Sequence, residues 1–250
     1  ILRTRAMQAG GNEKEKVRKE IMTVVRSAAS PKVQAAGVLT LTDEELADPS
    51  VRPLLIDLVA NEVNRGGGSN STLVKNLINY MSEDPNPEFG SSLILLIQNR
   101  ISVSQRNRID ASDYLKAVAT ESHLKELKEA FKGEELSSIQ KNIFESADNI
   151  SKKLSSRESQ EELNDFCRTV LGSEYRVDND VMMSSMGIVA EQMDRKSIPA
   201  LRKILTTETK PMILRKRAIE ILVSEGFSAP ENEQIYSNLF DNRREDSSLR

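Results

Sequence analysis

Apolar residues recur along most of this chain at the spacing of one face of an α-helix. Near the start, Val17, Ile21, Val24 and Val25 follow the i, i+4, i+7, i+8 pattern of a buried helical stripe. Similar stripes follow in segment after segment towards the C-terminal end. The strict alternation of a β-strand is missing except for a weak hint at Ile101–Val103. The sequence therefore predicts an all-α fold with no sheet.

Proline and glycine divide these stripes into short helices. Pro31 and Pro230 stand where a first helical residue is expected, and Gly133, Gly172 and Gly226 stand where helices should end. The interruptions come at intervals of roughly 10 to 16 residues, the usual length of one arm of a helix hairpin. We therefore expect antiparallel helix pairs joined by short turns.

One pattern recurs in three windows of the chain. Each window contains the end of one predicted helix, a turn with Pro or Asp, and the start of a second predicted helix. The windows are Ile21–Leu39, Leu73–Ile97 and Pro199–Leu222. The segment Leu214–Leu222, which reads LRKRAIEIL, carries the pattern most clearly. In the second window Gly90 follows the apolar Phe89, where the third window has Arg215 after Leu214.

These windows resemble HEAT repeats. The resemblance implies an elongated stack of antiparallel helix pairs, a HEAT- or armadillo-like solenoid with a long surface for partner proteins. An irregular helical bundle is the alternative.

The resemblance also suggests an organisation into four segments. Residues 1–109 would form N-terminal helical repeats with a flexible loop at Gly66–Ser71, which lacks the lysine of a phosphate-binding loop. Residues 110–175 would be central helices that match the repeat poorly. Residues 176–241 would form C-terminal HEAT-like pairs, and residues 242–250, rich in Arg, Asp, Glu and Ser, would be a disordered tail.

Composition excludes several classes of protein. Aromatic residues make up only 4% of the chain and Trp is absent, which disfavours stacking on nucleotide bases. No apolar run approaches the roughly 20 residues that a membrane span needs. The chain opens at Ile1, which suggests a processed or partial N-terminus, so both a periplasmic and a cytoplasmic location are open.

Few residues suit catalysis or metal binding. The only histidine, His123, is expected to face solvent on a helix, and the only cysteine, Cys167, is expected in the core beside Phe166. Residues 178–180, Asp-Asn-Asp, resemble the start of a calcium loop but lack its later Gly and Glu, so a helix N-cap is favoured. We therefore expect no enzyme activity, catalytic residue, metal site or cofactor.

Methionines cluster near the C-terminal third of the chain. A stripe of this kind either fills an irregular core or lines an adaptable binding groove, and the core is the favoured interpretation. The residues are Met182, Met183, Met186 and Met193.

Charge is unevenly distributed although the net charge is only −3. The stretch from Glu121 to Asp165 is rich in acidic residues, whereas residues 195–217 are strongly basic. Opposite charges of this kind suit assembly with other proteins, and nucleic acid is a less favoured partner because aromatic residues are not interleaved. The predicted partner-binding residues are Arg202, Lys203, Arg215, Lys216 and Arg217.

Two functions follow from these expectations. As a mid-sized helical chain poor in Cys and free of Trp, the protein is similar to sheath or coiling proteins of spirochaete periplasmic flagella. That resemblance implies a structural scaffold in a filament or motility apparatus, assembled with copies of itself or with filament subunits. The alternative is a cytosolic adaptor that holds a peptide or protein on the concave face of its helical repeats.

Overall fold

The structure is a computed structural model of the chain. It describes residues 10–26, 30–38, 40–41, 51–65, 68, 70–83, 85–174, 176–224, 227 and 229–241. Residues 66, 67 and 69 of the predicted flexible loop lie outside the described residues, and so does the predicted tail 242–250.

Thirteen α-helices make up most of the described chain, and no strand occurs within it. The helices are α1 Asn12–Arg26, α2 Pro31–Val38, α3 Arg52–Val63, α4 Ser71–Glu83, α5 Gly90–Gln98, α6 Gln105–Val118, α7 Leu124–Phe131, α8 Ser137–Ser151, α9 Arg157–Gly172, α10 Asn179–Glu191, α11 Ile198–Thr206, α12 Met212–Val223 and α13 Pro230–Asp241. Short 3-10 turns at Pro87–Phe89, Glu121–His123 and Arg195–Ser197 lead into α5, α7 and α11. The all-α prediction is confirmed.

The chain divides into two compact units, Ile1–Ala119 and Thr120–Arg250. In the first unit, α1 packs on α2, α3 on α4, and α5 on α6. Contacts also join helices two apart, namely α2 with α4, α3 with α5, and α4 with α6. Helices α2 to α6 thus each touch both their immediate neighbour and a helix of the adjacent pair, as in a stack of helix pairs.

The second unit repeats this arrangement. Its pairs are α7 with α8, α9 with α10, and α11 with α12. The first helices of the pairs pack on one another in the order α7, α9, α11, and the second helices do so in the order α8, α10, α12. Helices α7 to α12 therefore form two layers.

Aromatic residues join three helices in the core of the second unit. The ring of Phe166 on α9 meets that of Phe131 on α7 edge-on, with centroids 5.5 Å apart, and that of Phe144 on α8 at 5.9 Å. Such contacts stabilise a core beyond the apolar area that they bury. These residues lie in the predicted central segment 110–175, of which α7, α8 and α9 are thus packed together within the second unit.

Polar contacts between successive pairs recur at a nearly constant sequence separation. In the first unit, Asn107 Nδ2 donates to the carbonyl oxygen of Ser71, 36 residues earlier, at 2.9 Å. In the second unit, Lys128 Nζ binds Asp165 Oδ2, 37 residues later, at 2.6 Å. A regular separation of this size is what repeated helix pairs of similar length produce.

A buried polar side chain occupies the fourth position of the second helix in three pairs. These residues are Arg108 in α6, Gln140 in α8 and Arg215 in α12. Each donates to a main-chain carbonyl in the last turn of the preceding helix or in the loop after it. The acceptors are the carbonyl oxygens of Ile97, Glu134 and Leu205. Carbonyls at a helix C-terminus have no partner within their helix, so these side chains satisfy them in a buried position.

Candidate protein-binding surface

The five predicted partner-binding residues lie on the two helices of the last complete pair, α11 and α12. Lys203 is exposed, and Arg202, Lys216 and Arg217 are partly exposed. They belong to the second unit, and their availability depends on the contacts that each one already makes.

Arg215 is an exception, and the structure corrects its assignment to the surface. Its side chain is only 4% exposed, and its Nε donates to the carbonyl oxygen of Leu205 at 2.8 Å. Arg215 lies among apolar residues that recur with the period of a helix. It shares their buried face, although its charge led to the prediction that it would be exposed. Arg215 holds α11 and α12 together and is not available to a partner.

Arg202 and Arg217 have acidic partners within the unit. Arg202 Nε donates to Asn232 Oδ1 at 2.7 Å, and its guanidinium lies 3.3 Å from Glu231 Oε2, so it connects α11 to α13. Arg217 pairs with Glu220 on its own helix at 3.0 Å. These contacts neutralise part of the basic segment.

Three lysines of the segment, Lys203, Lys210 and Lys216, form no ion pair within the described part of the chain. Lys203 lies near the end of α11, Lys210 in the connection to α12, and Lys216 on α12. We call Lys203, Lys210, Lys216 and Arg217 the basic surface. Lys210 lies in the basic range 195–217 but is not among the predicted binding residues, because its position between two helices gives no helical periodicity.

Lys210 is the most unusual member of the basic surface. It is partly buried, and its Nζ lies 3.9 Å from the thioether sulfur of Met182, a weak acceptor. Burial and, secondarily, repulsion from Lys203 lower the pKa of the Lys210 ammonium. The charge is therefore held where neither water nor a carboxylate fully compensates it.

The methionine cluster divides between core and surface. Met182 and Met186 are buried on α10, as predicted for a core stripe, and Met183 is partly buried. Met193 instead follows the end of α10, is 60% exposed and has a φ of 51°. The core prediction is therefore wrong for Met193.

The acidic stretch from Glu121 to Asp165 is less available than its composition suggests. Several of its carboxylates pair with cations of neighbouring helices in the same unit. The pairs include Lys125–Glu162 at 3.1 Å, Lys128–Asp165 at 2.6 Å and Lys196–Glu161 at 2.8 Å. Hydrogen bonds from Lys196 and Arg168 hold the pKa of Glu161 below its usual value. Part of this stretch thus serves contacts between helix pairs.

His123 does not face solvent as expected. It is 6% exposed, and its Nδ1 accepts a hydrogen bond from the main-chain N–H of Thr120 at 3.0 Å. The residue ends the 3-10 turn before α7, so its ring caps that turn and does not project from a helix face. This engagement leaves Nδ1 unavailable to a substrate.

Cys167 lies in the core as predicted. It is fully buried on α9, and burial raises the pKa of its thiol far above the usual value. A thiol of this kind is a poor nucleophile because the reactive thiolate is scarcely formed.

Residues 178–180 provide a helix N-cap, as favoured from the sequence. Asp178 Oδ1 accepts from the N–H of Asp180 at 3.0 Å, and Asp178 Oδ2 accepts from Ser137 Oγ at 2.6 Å. Lys141 neutralises both carboxylates. No group of three or more His, Cys, Asp or Glu side chains suited to a metal ion was found among the described residues.

A polar cleft of about 330 Å³ lies beside this cap, between the first turns of α8 and α10, and Glu135, Gln140 and Arg176 contribute to its lining. Gln140 is buried there and donates to the carbonyl oxygens of Glu134 and Arg176. Met182 is the fourth residue of α10, as Gln140 is of α8. In the next helix pair, Met182 thus occupies the position that corresponds to Gln140, and it contacts Lys210.

Among the helices that the structure describes, none combines the length and the apolar composition that a membrane span requires. No protein-family model matches the sequence, and no curated protein matches it.

Proposed function

We propose that this protein is a non-catalytic scaffold that binds other proteins on a HEAT-like solenoid of helix pairs. The observation that carries the proposal is the packing of helices with their next and next-but-one neighbours within each unit. Stacks of this kind leave the outer faces of both layers available to partners, and helical-repeat proteins use such extended surfaces for binding.

The chemistry of the described residues supports a binding role over catalysis. Cys167 is buried with a raised pKa, and His123 is engaged in capping a turn. The three lysines of the basic surface, in contrast, have no carboxylate partner among the described residues, and complementary charge is a common means of steering protein association.

The proposal covers two kinds of assembly. In a filament or sheath, as in a motility apparatus, copies of the chain would associate with each other or with filament subunits. In an adaptor, a single copy would hold a peptide or another protein. Sedimentation over a range of concentrations detects self-association of the purified chain, which a filament of identical copies requires and an adaptor does not.

Affinity capture from native cells, read by mass spectrometry, tests the scaffold proposal. The test variant carries Lys203→Glu, Lys216→Glu and Arg217→Glu, and the matched control carries Lys132→Glu, Lys152→Glu and Lys153→Glu on exposed positions of the same unit. We expect the wild type and the control to retain the same partner, or further copies of the chain, and the test variant to lose it. Failure of the wild type to retain any protein partner or copy would overturn the proposal.

A further inference from the structure

We infer that Lys203 and Lys210 form the docking point for a carboxylate-rich segment of a partner protein. The inference rests on the proposed function and identifies the chemistry of the partner. The Lys210 ammonium lies 3.9 Å from Met182 Sδ and has no carboxylate partner among the described residues.

Comparison with the preceding pair shows what is unusual about this position. At the fourth position of α8, Gln140 offers both a donor and an acceptor, and its Oε1 accepts from the N–H of Asp178 at 3.1 Å. At the same position of α10, Met182 offers only a thioether. A partly buried ammonium beside a thioether lacks the strong acceptor that buried charges normally have.

Lys203 adds a second positive charge to this position. Burial and, secondarily, repulsion from the Lys203 ammonium disfavour the charged form of Lys210, so the arrangement opposes the stability of the free protein. An approaching carboxylate would relieve the repulsion and supply the missing acceptor. A pair of lysines that costs stability but is complementary to an anion is typical of a binding surface.

The observations favour a protein carboxylate over a nucleic acid. Single-stranded nucleic acids are usually held by aromatic side chains that stack on bases, and this chain has few aromatic residues and no Trp. The apolar side chain of Ile213, 59% exposed at the start of α12, suits the apolar residues of a protein segment. A phosphate backbone would gain little from it.

Fluorescence anisotropy with a labelled Glu-rich peptide tests the inference. A Gln-rich peptide of equal length and a single-stranded oligonucleotide provide the comparison ligands. We expect the Glu-rich peptide to bind the wild type and to bind Lys203→Gln/Lys210→Gln at least about tenfold more weakly, with affinity that falls as salt is added. The control is Lys125→Gln/Lys196→Gln, because both of those lysines already have acidic partners. The control should bind within about twofold of the wild type.

Stability measurements separate a binding role from a folding role. Because Lys210 carries an uncompensated charge, Lys210→Gln should leave the melting temperature unchanged or raise it while it weakens peptide binding. In the wild type, the pKa of Lys210 measured by NMR should rise when the Glu-rich peptide binds.

Three results would overturn the inference. They are equal binding of the peptide by the wild type and Lys203→Gln/Lys210→Gln, no preference for the Glu-rich over the Gln-rich peptide, and tighter binding of the oligonucleotide. None of these results would overturn the proposed function, because affinity capture could still retain a partner whose binding does not depend on either lysine.

Discussion

Arg215 Nε donates a hydrogen bond of 2.8 Å to the carbonyl oxygen of Leu205, ten residues earlier. The bond joins the first turn of α12 to the last turn of α11 in the interior of the pair. Arg108 makes the equivalent contact with Ile97 at 2.7 Å in the first unit. The same solution thus occurs in both units, which indicates that a buried side chain at this position stabilises the turn between two antiparallel helices.

Replacement of Arg215 by Ala should destabilise the protein by about 2–4 kcal/mol, because it leaves a buried carbonyl without this donor and opens a cavity. Replacement of the neighbouring Lys216 by Ala should change stability by less than about 0.5 kcal/mol, since Lys216 forms no ion pair among the described residues. Urea denaturation measures both. Equal effects of the two substitutions would contradict the structural role of Arg215.

The sequence predicted the helices well because their signal is local. The apolar stripe that includes Leu214, Ala218 and Leu222 depends only on residue type and spacing, and all three residues are buried. The role of Arg215 could not be derived in the same way. Burial of a guanidinium between two packed helices is favourable only when a helix end supplies an acceptor. For Arg215 that acceptor is the carbonyl oxygen of Leu205, ten residues earlier.

The environments of His123 and Lys210 could not be derived from the sequence either. Their environments are set by contacts with a turn and with another helix pair, respectively. Composition revealed the basic segment but could not separate cations that are already paired from those that are not. Lys203 and Arg202 are adjacent in sequence, yet only Arg202 has acidic contacts in the described structure.

Replacement of Met193 by Gly should stabilise the protein by about 0.5–1 kcal/mol, because its φ of 51° favours glycine. Met193 is the left-handed residue after α10, where the N–H of Asp194 bonds to the carbonyl oxygen of Val189 at 3.0 Å. Its side chain is mostly exposed, so little packing is lost. Thermal unfolding measures the effect.

The control for that substitution is Met183→Gly, within α10. Glycine there should destabilise the protein by about 1 kcal/mol, since it adds backbone freedom to a helix interior. Equal signs for the two substitutions would contradict the interpretation of Met193.

Stability should fall as the pH is lowered through the acidic range, and part of the loss should come from Asp165. A hydrogen bond from Lys128 lowers the pKa of Asp165, so the folded state binds this proton less readily than the unfolded state. The resulting stabilisation is present above the unfolded pKa of Asp165 and is lost as pH falls through the folded pKa. Solvent screening keeps it small because the Asp165 side chain is 45% exposed.

Lys128→Met should therefore reduce the difference in unfolding free energy between about pH 7 and about pH 3. The control Lys153→Met removes an exposed lysine that forms no ion pair among the described residues. Urea denaturation at both pH values makes the comparison. An unchanged difference in Lys128→Met would show that the Asp165 pair contributes nothing to the acid sensitivity.

Two substitutions on α12 distinguish its buried face from its exposed face. Ala218 is fully buried, whereas Ile213 is 59% exposed on the same helix. Ala218→Glu would bury a charge in an apolar interior without a partner of opposite charge, and it should destabilise the protein by more than about 3 kcal/mol. Glutamate at position 213 would stay in water and should change stability by about 0.5 kcal/mol or less.

Circular dichroism during thermal unfolding measures both variants. Since each adds one Glu to the same helix, the change in net charge is identical. The difference between them reports burial together with the smaller, favourable interaction of Glu at position 213 with the helix N-terminus. A small effect of Ala218→Glu, close to that of Ile213→Glu, would contradict the packing of α12 against α10 and α11. A large effect at position 218 alone would support the packing of α12 on α11. It would also support the orientation of α12 in which Lys216 and Arg217 face solvent.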